Sequence, residues 1–497
     1  VTVPTETEPT ASAGGAKAAP RRAAPSWAAF YAKFGPIRAF EDEGVSFNRL
    51  LRLSLFQVTV GLAQVLFYGT LNRVMIVELG VPATIVSVFI GIPVLFAPIR
   101  ALVGFKSDTH RSVLGWKRVP YIMGGTALQW SGLAFMPFAL VLLNGDQVWG
   151  PSWLGWMFGG LSFLLVGAGA HTVQTAGLAL ATDLAPDKLR PKVVALMYLM
   201  LLVGMTVCSV AVSGLLQDYT PFKLIQVIQG TALVALFVNL VAIWKQEARD
   251  ESMRPYVPGE RKPLFLDAWY AFVDGGSAVR LLVATGVGMF ALNLQDVLLE
   301  PYGGEVLKLS VSETTWLTGV YTLGSLLALG LSAPMLSRGW SSVKVSWAGL
   351  LSGLVGFVLI IVAAPSASRW VFQGGTFIVG MAEAFFAVGT LAFAMSLRDR
   401  TQHGIALGAW GAVYAFGEGT GLALSGVLRD WVAHLVQSGR ITGSLATPAF
   451  PYLAVYYLEI IGVVVTVLLM IPLLRRTAQE TEAAGKASPL ELAEYLA

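Results

Sequence analysis

The sequence predicts an all-α polytopic membrane protein, with twelve transmembrane helices in two six-helix repeats and both termini cytoplasmic. Three observations lead there. Of 497 residues, 55% are hydrophobic and only 13% charged, and the mean hydropathy is +0.67. A soluble chain of this length would hold several domains and nearly twice that share of charge. Apolar runs recur from end to end at the length a bilayer core demands, about 20 residues per helix. Basic residues are also one-sided. With the N-terminus cytoplasmic, 28 of the 34 Lys and Arg fall in the tails and even-numbered loops, five in the opposite loops (Lys223, Lys308, Arg369, Arg429, Arg440), and Arg73 inside a helix. This is the positive-inside asymmetry, so the net charge of +4 reflects orientation in a lipid bilayer and not a nucleic-acid partner.

In chain order, residues 1–48 form a cytoplasmic tail rich in Ala, Pro, Thr and basic residues, the composition of a disordered segment. The tail has no uninterrupted apolar core of the signal-peptide kind. Its later part, Ser26 to Phe40, sets Trp27, Phe30, Tyr31, Phe34 and Phe40 among basic residues, which suits a membrane surface. A first six-helix bundle spans 49–244, with apolar runs at about 53–79, 82–103, 119–143, 153–182, 193–216 and 221–244. A polar central loop, 245–280, is cytoplasmic. The second bundle spans 281–475, with runs at about 281–302, 313–336, 343–364, 370–396, 404–428 and 451–474, and residues 476–497 form a cytoplasmic tail. Trp116, Trp149, Trp153, Trp244, Trp370 and Trp431 fall near run ends, where interfacial belts place them. The 53 glycines suit close helix packing in lipid. The single cysteine, Cys208, excludes an intrachain disulfide and reads as a buried structural thiol.

The two sets of six carry an internal duplication. Leu71-Asn-Arg73-Val-Met-Ile-Val-Glu-Leu-Gly80 aligns with Leu294-Gln-Asp296-Val-Leu-Leu-Glu300-Pro-Tyr-Gly303. Ala211-Val-Ser-Gly-Leu-Leu-Gln-Asp218 aligns with Ala423-Leu-Ser-Gly-Val-Leu-Arg-Asp430, and Gly177-Leu-Ala-Leu-Ala181 with Thr390-Leu-Ala-Phe-Ala394. Three matches in the same order indicate two parallel membrane repeats.

The first match sets Arg73 opposite Asp296. Counted from Arg52 and Arg280 at ~1.5 Å per residue, the two lie about 31 Å and about 24 Å into the membrane, in its periplasmic half. A charge embedded in a helix there costs roughly 2.5–3.5 kcal/mol and usually has a partner. The expectation is a contact between Arg73 and Asp296, with Glu300, one turn on, as the competing partner. The group serves either as a gate or ligand-positioning site, or as an ion pair that fixes packing between the halves.

Further polar candidates lie in the fourth, tenth, eleventh and twelfth runs. His171 and Gln174 are three apart and share a helix face, and Glu383 occupies the corresponding place in the second half. His171 offers a neutral imidazole to a metal or a chlorin magnesium, or simply a hydrogen bond to a neighbour. Glu383 and Glu418 join it as candidates for a pigment site or polar cavity, and Glu459 is a further intramembrane acid. No Cys/His cluster has zinc spacing and no metal site is recognised. No nucleophile–base pair argues for an enzyme.

Gly104-Phe-Lys-Ser-Asp108-Thr-His-Arg111-Ser-Val-Leu-Gly-Trp-Lys117-Arg118 resembles the loop signature of the major facilitator superfamily, Gly-x-x-x-Asp followed by a basic cluster. It departs from that pattern by the residues inserted before Lys117, and an ordinary basic loop is the alternative. The expected role is closure of the cytoplasmic side, with Asp108 at a helix N-terminus. Together, Leu53-Ser-Leu-Phe-Gln57, Leu71 to Gly80, His171 to Ala181, Gln295-Asp-Val-Leu-Leu-Glu-Pro-Tyr-Gly-Gly304 and His403-Gly-Ile-Ala-Leu-Gly-Ala-Trp-Gly411 resemble the PucC/LhaA family, the bacteriochlorophyll-delivery branch of that superfamily. The resemblance covers about residues 49–475. It implies an assembly factor for light-harvesting complexes, LH1 or LH2, in the intracytoplasmic photosynthetic inner membrane. Its implied partners are the light-harvesting α/β polypeptides, the reaction centre–LH1 complex, bacteriochlorophyll and carotenoid. The alternative is a secondary transporter of a small solute or tetrapyrrole by alternating access.

Overall fold

In a computed structural model, residues 46–95, 103, 107, 116–143, 153–186, 189–247, 277–396 and 403–486 are described. The N-terminal surface segment, Gly104, Asp108 and Arg111, most of the central loop and the end of the C-terminal tail lie outside them. Among the described residues, thirteen helices follow in order, apart from one short 3-10 turn. They are α1 (Phe47–Glu78), α2 (Ala83–Leu95), α3 (Val119–Leu143), α4 (Trp153–Asp183), α5 (Arg190–Leu215), α6 (Pro221–Ile243) and α7 (Ser277–Asn293). After these come α8 (Leu299–Glu305), α9 (Val311–Ser337), α10 (Ser342–Ala363), α11 (Arg369–Ser396), α12 (His403–Gln437) and α13 (Phe450–Lys486). Among the described residues, nine helices are long and apolar enough to cross a membrane, and α2 and α7 are shorter apolar helices.

Local chemistry sets several helix starts. Ser310 and Glu313 form a reciprocal capping box at α9, with Glu313 N–H donating to Ser310 Oγ at 3.2 Å and Ser310 N–H to Glu313 Oε2 at 2.9 Å. Pro221 opens α6 where its missing N–H is harmless, and the Thr220 hydroxyl accepts from Lys223 N–H at 3.1 Å.

Within the compact unit Asn48–Ala497, α1 and α3 to α6 make many of their contacts among themselves, as do α7 to α13, while α2 packs mainly on α12 of the other set. The first set is tied by a buried polar chain. Gln129 Nε2 on α3 donates to the Thr59 carbonyl on α1 at 2.9 Å, Thr59 Oγ1 to Asn239 Oδ1 on α6 at 2.9 Å, and Asn239 Nδ2 to Thr126 Oγ1 at 2.9 Å. Buried away from water, such groups must be paired or cost about 1–3 kcal/mol each.

The two sets meet along repeat-related pairs: α2 lies on α12 and α5 on α9, while α1 touches α8 and α9. Small residues make the approach possible. Gly91 packs on Gly419 and Ala423, and Gly426 on the Ala83 carbonyl. Polar side chains then stitch the seam, with Ser87 Oγ donating to the Ala423 carbonyl at 3.1 Å and Ser209 Oγ to the Thr315 carbonyl at 2.6 Å.

One end of the first set is basic and held by backbone carbonyls and a carboxylate from the segment that follows α6. Arg49 donates to the Gln246 carbonyl and Arg52 to the Trp244 carbonyl. The Glu247 carboxylate accepts from the backbone N–H groups of Lys117, Arg118 and Val119 at 2.7, 3.1 and 2.9 Å, occupying the positive end of α3. Arg118 of the expected loop motif is buried, with Nε donating to Asp183 at 3.1 Å and Nη1 to Ser107 Oγ at 2.6 Å. The basic pair after the Gly-x-x-x-Asp pattern thus belongs to a packed network at the start of α3.

Candidate functional site

Both helices lose α geometry at the repeat position that aligns Leu71 with Leu294. In α1, two π-helical stretches, Val65–Leu71 and Val74–Glu78, flank Asn72 and Arg73, and the Asn72 N–H reaches back five residues to the Phe67 carbonyl. In the second half the chain unwinds over 294–298 between α7 and α8, where the Gln295 carbonyl receives both the Leu298 and Leu299 N–H groups at 2.8 Å. Local loss of the regular ladder at matched positions is a common mark of functional membrane helices.

Side chains at these breaks join the halves. Glu300 is buried, with Thr318 Oγ1 of α9 donating to Oε1 at 2.9 Å and Asn72 Nδ2 of α1 to Oε2 at 3.3 Å. The same Asn72 amide donates to the Val297 carbonyl at 3.1 Å, satisfying a group that the break would otherwise orphan. Thr70 and Thr315 hydroxyls meet at 3.1 Å beside it.

The expected Arg73–Asp296 contact is not made, and Glu300 does not replace Asp296. Arg73 Nη1 lies 2.8 Å from Glu78 Oε1, and Nη2 donates to the Leu309 carbonyl at 3.4 Å. Neither Asp296 nor Glu300 approaches Arg73 within the 4.0 Å of an ion pair. The physical reason is the π geometry, which admits one more residue per turn and turns Asn72 toward α8. Arg73 instead reaches along its own helix to Glu78, and its side chain lies against Gly304 of α8, where a Cβ would overlap Nε. Tyr219, in the turn after α5, completes this end; burial raises its phenol pKa, Glu78 adds to the rise and Arg73 opposes it.

Deeper between the halves, half-buried polar groups from several helices converge on a cleft. Tyr321 of α9 donates to Glu383 Oε2 of α11, and the Tyr414 hydroxyl of α12 donates to Glu383 Oε1 at 3.5 Å. Asp296 accepts from Gln295 Nε2 at 2.7 Å. Asp296, Glu383, Glu418 and the Tyr68 hydroxyl of α1 lie within electrostatic reach of one another. The sequence candidates Asp296, Glu383 and Glu418 are therefore brought together, and Glu300 is held one turn beyond them. Gln174 is turned toward α1, with Nε2 donating to Gln57 Oε1 at 3.4 Å, and His171 is half-buried one turn earlier on α4. Tyr68, Tyr321 and Tyr414 escape a sequence reading because tyrosine in an apolar run carries no charge to single it out.

A second cluster closes the far end of the seam, opposite the basic end. Arg429, counted from sequence as a loop residue, lies inside α12 and pairs with Glu305 Oε2 at 2.8 Å and Asp430 Oδ1 at 2.9 Å, over the Tyr452 ring at 4.8 Å. Asp430 Oδ2 accepts from the Thr84 N–H at 2.7 Å and its hydroxyl at 2.8 Å, capping α2 across the seam. Its repeat equivalent, Asp218, is 98% exposed. Asp430→Ala is expected to destabilise the purified protein by roughly 0.5–2 kcal/mol, the usual worth of a lost N-cap. Asp218→Ala should leave the unfolding temperature unchanged, and equal effects at both sites would contradict this assignment.

The family model described as PUCC protein matches residues 70–478. A Protein PucC from Rhodovulum sulfidophilum is 49% identical over 421 residues, 84% of this chain and 93% of the relative. A Protein PucC from Cereibacter sphaeroides is 46% identical over 445 residues, 89% of this chain and 95% of the relative. More distant is the bacteriochlorophyll synthase 44.5 kDa chain of Rhodobacter capsulatus, 26% identical over 417 residues, 80% of this chain and 92% of the relative. Among solved structures, a bacterial homologue of the lysosomal transporter Spinster superposes with a TM-score of 0.60 at 14% identity, covering 89% of this chain and 98% of that one. The nucleoside transporter NupG gives 0.58 at 14% identity, covering 86% of this chain and 100% of that one. At such identities the likeness establishes a transporter-type fold and nothing finer.

Proposed function

The chain belongs to the PUCC protein family, and from that premise we propose that it is a non-enzymatic assembly factor for bacterial light-harvesting complexes, LH1 or LH2. It docks nascent antenna α/β helices on its membrane-facing surface and presents bacteriochlorophyll to them. In this reading it crosses the photosynthetic inner membrane twelve times, with α7 and α8 together forming one crossing and both termini cytoplasmic. The observation that carries the reading is the family match along nearly the whole helical part. The outer face offers support: α3 and α4 border an apolar recess of about 550 Å³ lined by Phe135, Pro137, Phe138, Val141, Leu142 and Phe158. Such a surface suits a hydrophobic helix or a tetrapyrrole and offers nothing to a hydrophilic solute.

The test is gentle purification from membranes that are actively building antennae, with absorption spectroscopy and identification of co-purifying chains. Small light-harvesting polypeptides and bacteriochlorophyll are the expected companions. A clean, colourless monomer would overturn the proposal.

A second reading, alternating-access transport, is favoured by the carboxylate-and-tyrosine cleft between the halves. The two separate on one experiment. Ser87 and Ala423 face each other across the α2–α12 seam, so Ser87→Cys with Ala423→Cys, in a Cys208→Ser background, should lock it on oxidation. Assembly on the outer face should survive the lock at the level of the reduced protein. Transport through the seam would be abolished, so loss of antenna assembly on oxidation, reversed by reductant, would favour the second reading.

A further inference from the structure

Where the break between α7 and α8 meets α13, four buried polar atoms lack partners. Glu459 is 0% exposed and neither of its carboxyl oxygens has a hydrogen-bond partner; Gln295 Oε1 and the Tyr456 hydroxyl are likewise buried and unpartnered. Asp296 in the break acts electrostatically on Glu459, and Glu459 on Tyr456, one turn away on its own helix, so its carboxyl lies within electrostatic reach of the break. Three of the four orphaned atoms are acceptors from carboxyl or amide oxygens, and only the tyrosine brings a hydrogen. What this place lacks is a positive charge or a donor.

No cation of the chain supplies it among the described residues. Asp296 faces Glu459 from the break, and Glu383 on α11 and Glu418 on α12 act on Asp296 in turn. From α8, Glu300 and Tyr302 act on Tyr456, as does Tyr452. Arg429 on α12 is committed to Glu305 and Asp430. Arg280 of α7 and Lys344 of α10 lie in the first turns of their helices, at the other end. A metal ion is a poor fit, since no group of three or more His, Cys, Asp or Glu among the described residues could hold one, and hard cations such as calcium take about 6–8 oxygens. A proton needs one oxygen. A carboxylate stripped of water and donors neutralises by taking one.

We propose that Glu459, with Gln295 and Tyr456, forms a proton-binding site at the break between α7 and α8. A proton from water bonds to one Glu459 oxygen, which turns that acceptor into a donor for the unpartnered oxygen of Gln295 and leaves a neutral carboxyl beside Asp296. Water reaching Glu459 when the break opens takes the proton back. Closure of this part of the second half therefore carries proton uptake with it.

Infrared difference spectroscopy on the purified full-length chain, in H2O and D2O, tests this without reference to antennae or transport, so its outcome is separate from that of the proposed function. The folded protein at neutral pH should show the carbonyl stretch of a protonated carboxyl, shifted in D2O and lost in Glu459→Gln. In Gln295→Leu and Tyr456→Phe, which keep the acid, the band should persist at a changed frequency. A band unaltered in folded Glu459→Gln overturns the assignment. If Glu459→Gln does not fold, a band unmoved in both other variants overturns it equally. A band removed by sodium ions at constant pH would replace the proton by a metal cation and overturn it as well.

Discussion

Glu78→Ala is expected to destabilise the protein by about 3 kcal/mol, toward the lower end of the 3–5 kcal/mol typical of stranding a buried charge, and by more than Arg73→Ala does. The asymmetry follows from exposure: the Arg73 side chain is 5% exposed and that of Glu78 38%. Removing the acid leaves a guanidinium sealed under Gly304, with the Leu309 carbonyl at 3.4 Å as its remaining acceptor and Nε unpartnered. Removing the arginine leaves a carboxylate that solvent can reach, at the expense of packing against Gly304. The double change Arg73→Asp with Asp296→Arg should rescue nothing, because the two residues are not partners. Thermal unfolding in detergent measures all of these variants. An Arg73→Ala loss larger than that of Glu78→Ala, or rescue by the double change, would contradict the observed pairing.

Gly324→Ala and Gly380→Ala are each expected to cost roughly 1–3 kcal/mol by overpacking. The two glycines form a reciprocal crossing of α9 and α11: a Cβ on Gly324 would strike the Phe377 carbonyl oxygen, and one on Gly380 the Tyr321 carbonyl oxygen. Neither obstacle is a flexible side chain, so the helices must part. Parting them draws Tyr321 away from Glu383, since each lies three residues from its crossing glycine on the cleft side. The double variant should fall short of the sum, as both changes demand the same displacement. Gly374→Ala, on α11 with nothing within 4 Å of its would-be Cβ, should instead be neutral or stabilise by up to about 1 kcal/mol through helix propensity. If all three behaved alike, steric crossing would not be the cause.

Much of this architecture is legible in the sequence because a bilayer leaves helices few alternatives. Helix positions follow from apolar run lengths, and the repeat from three short matches, so the paired placement of α2 with α12 and α5 with α9 is the geometry such a repeat implies. The carboxylates of the cleft are legible for the same reason: Asp296, Glu383 and Glu418 stand out in apolar surroundings. Which polar group meets which is another matter. Alignment pairs Arg73 with Asp296 by position, but contact depends on the direction a side chain leaves its helix, and the π turns of α1 reset that direction. A loop count misplaces Arg429 because α12 runs about two and a half turns past its apolar stretch, to Gln437. Asp218 and Asp430 share a motif and differ in use, since Thr84 is there to meet only one of them.

Length, and not only identity, is thereby a heritable setting in α1. Each residue added to or taken from an α-helix swings everything beyond it by about 100°, and the widened turns at 65–71 and 74–78 have the character of absorbed insertions. Deleting one residue from a wide turn would let it revert to regular geometry with the residues beyond it nearly unturned. Deleting one from a regular turn of α1 would instead swing Asn72 off Glu300 and turn every side chain downstream of it. A lineage can thus exchange the groups that face the second half in a single step, without altering one of them. The helix behaves as a dial with discrete stops, and the present sequence rests at the stop that shows an amide to the seam and keeps the cation aside.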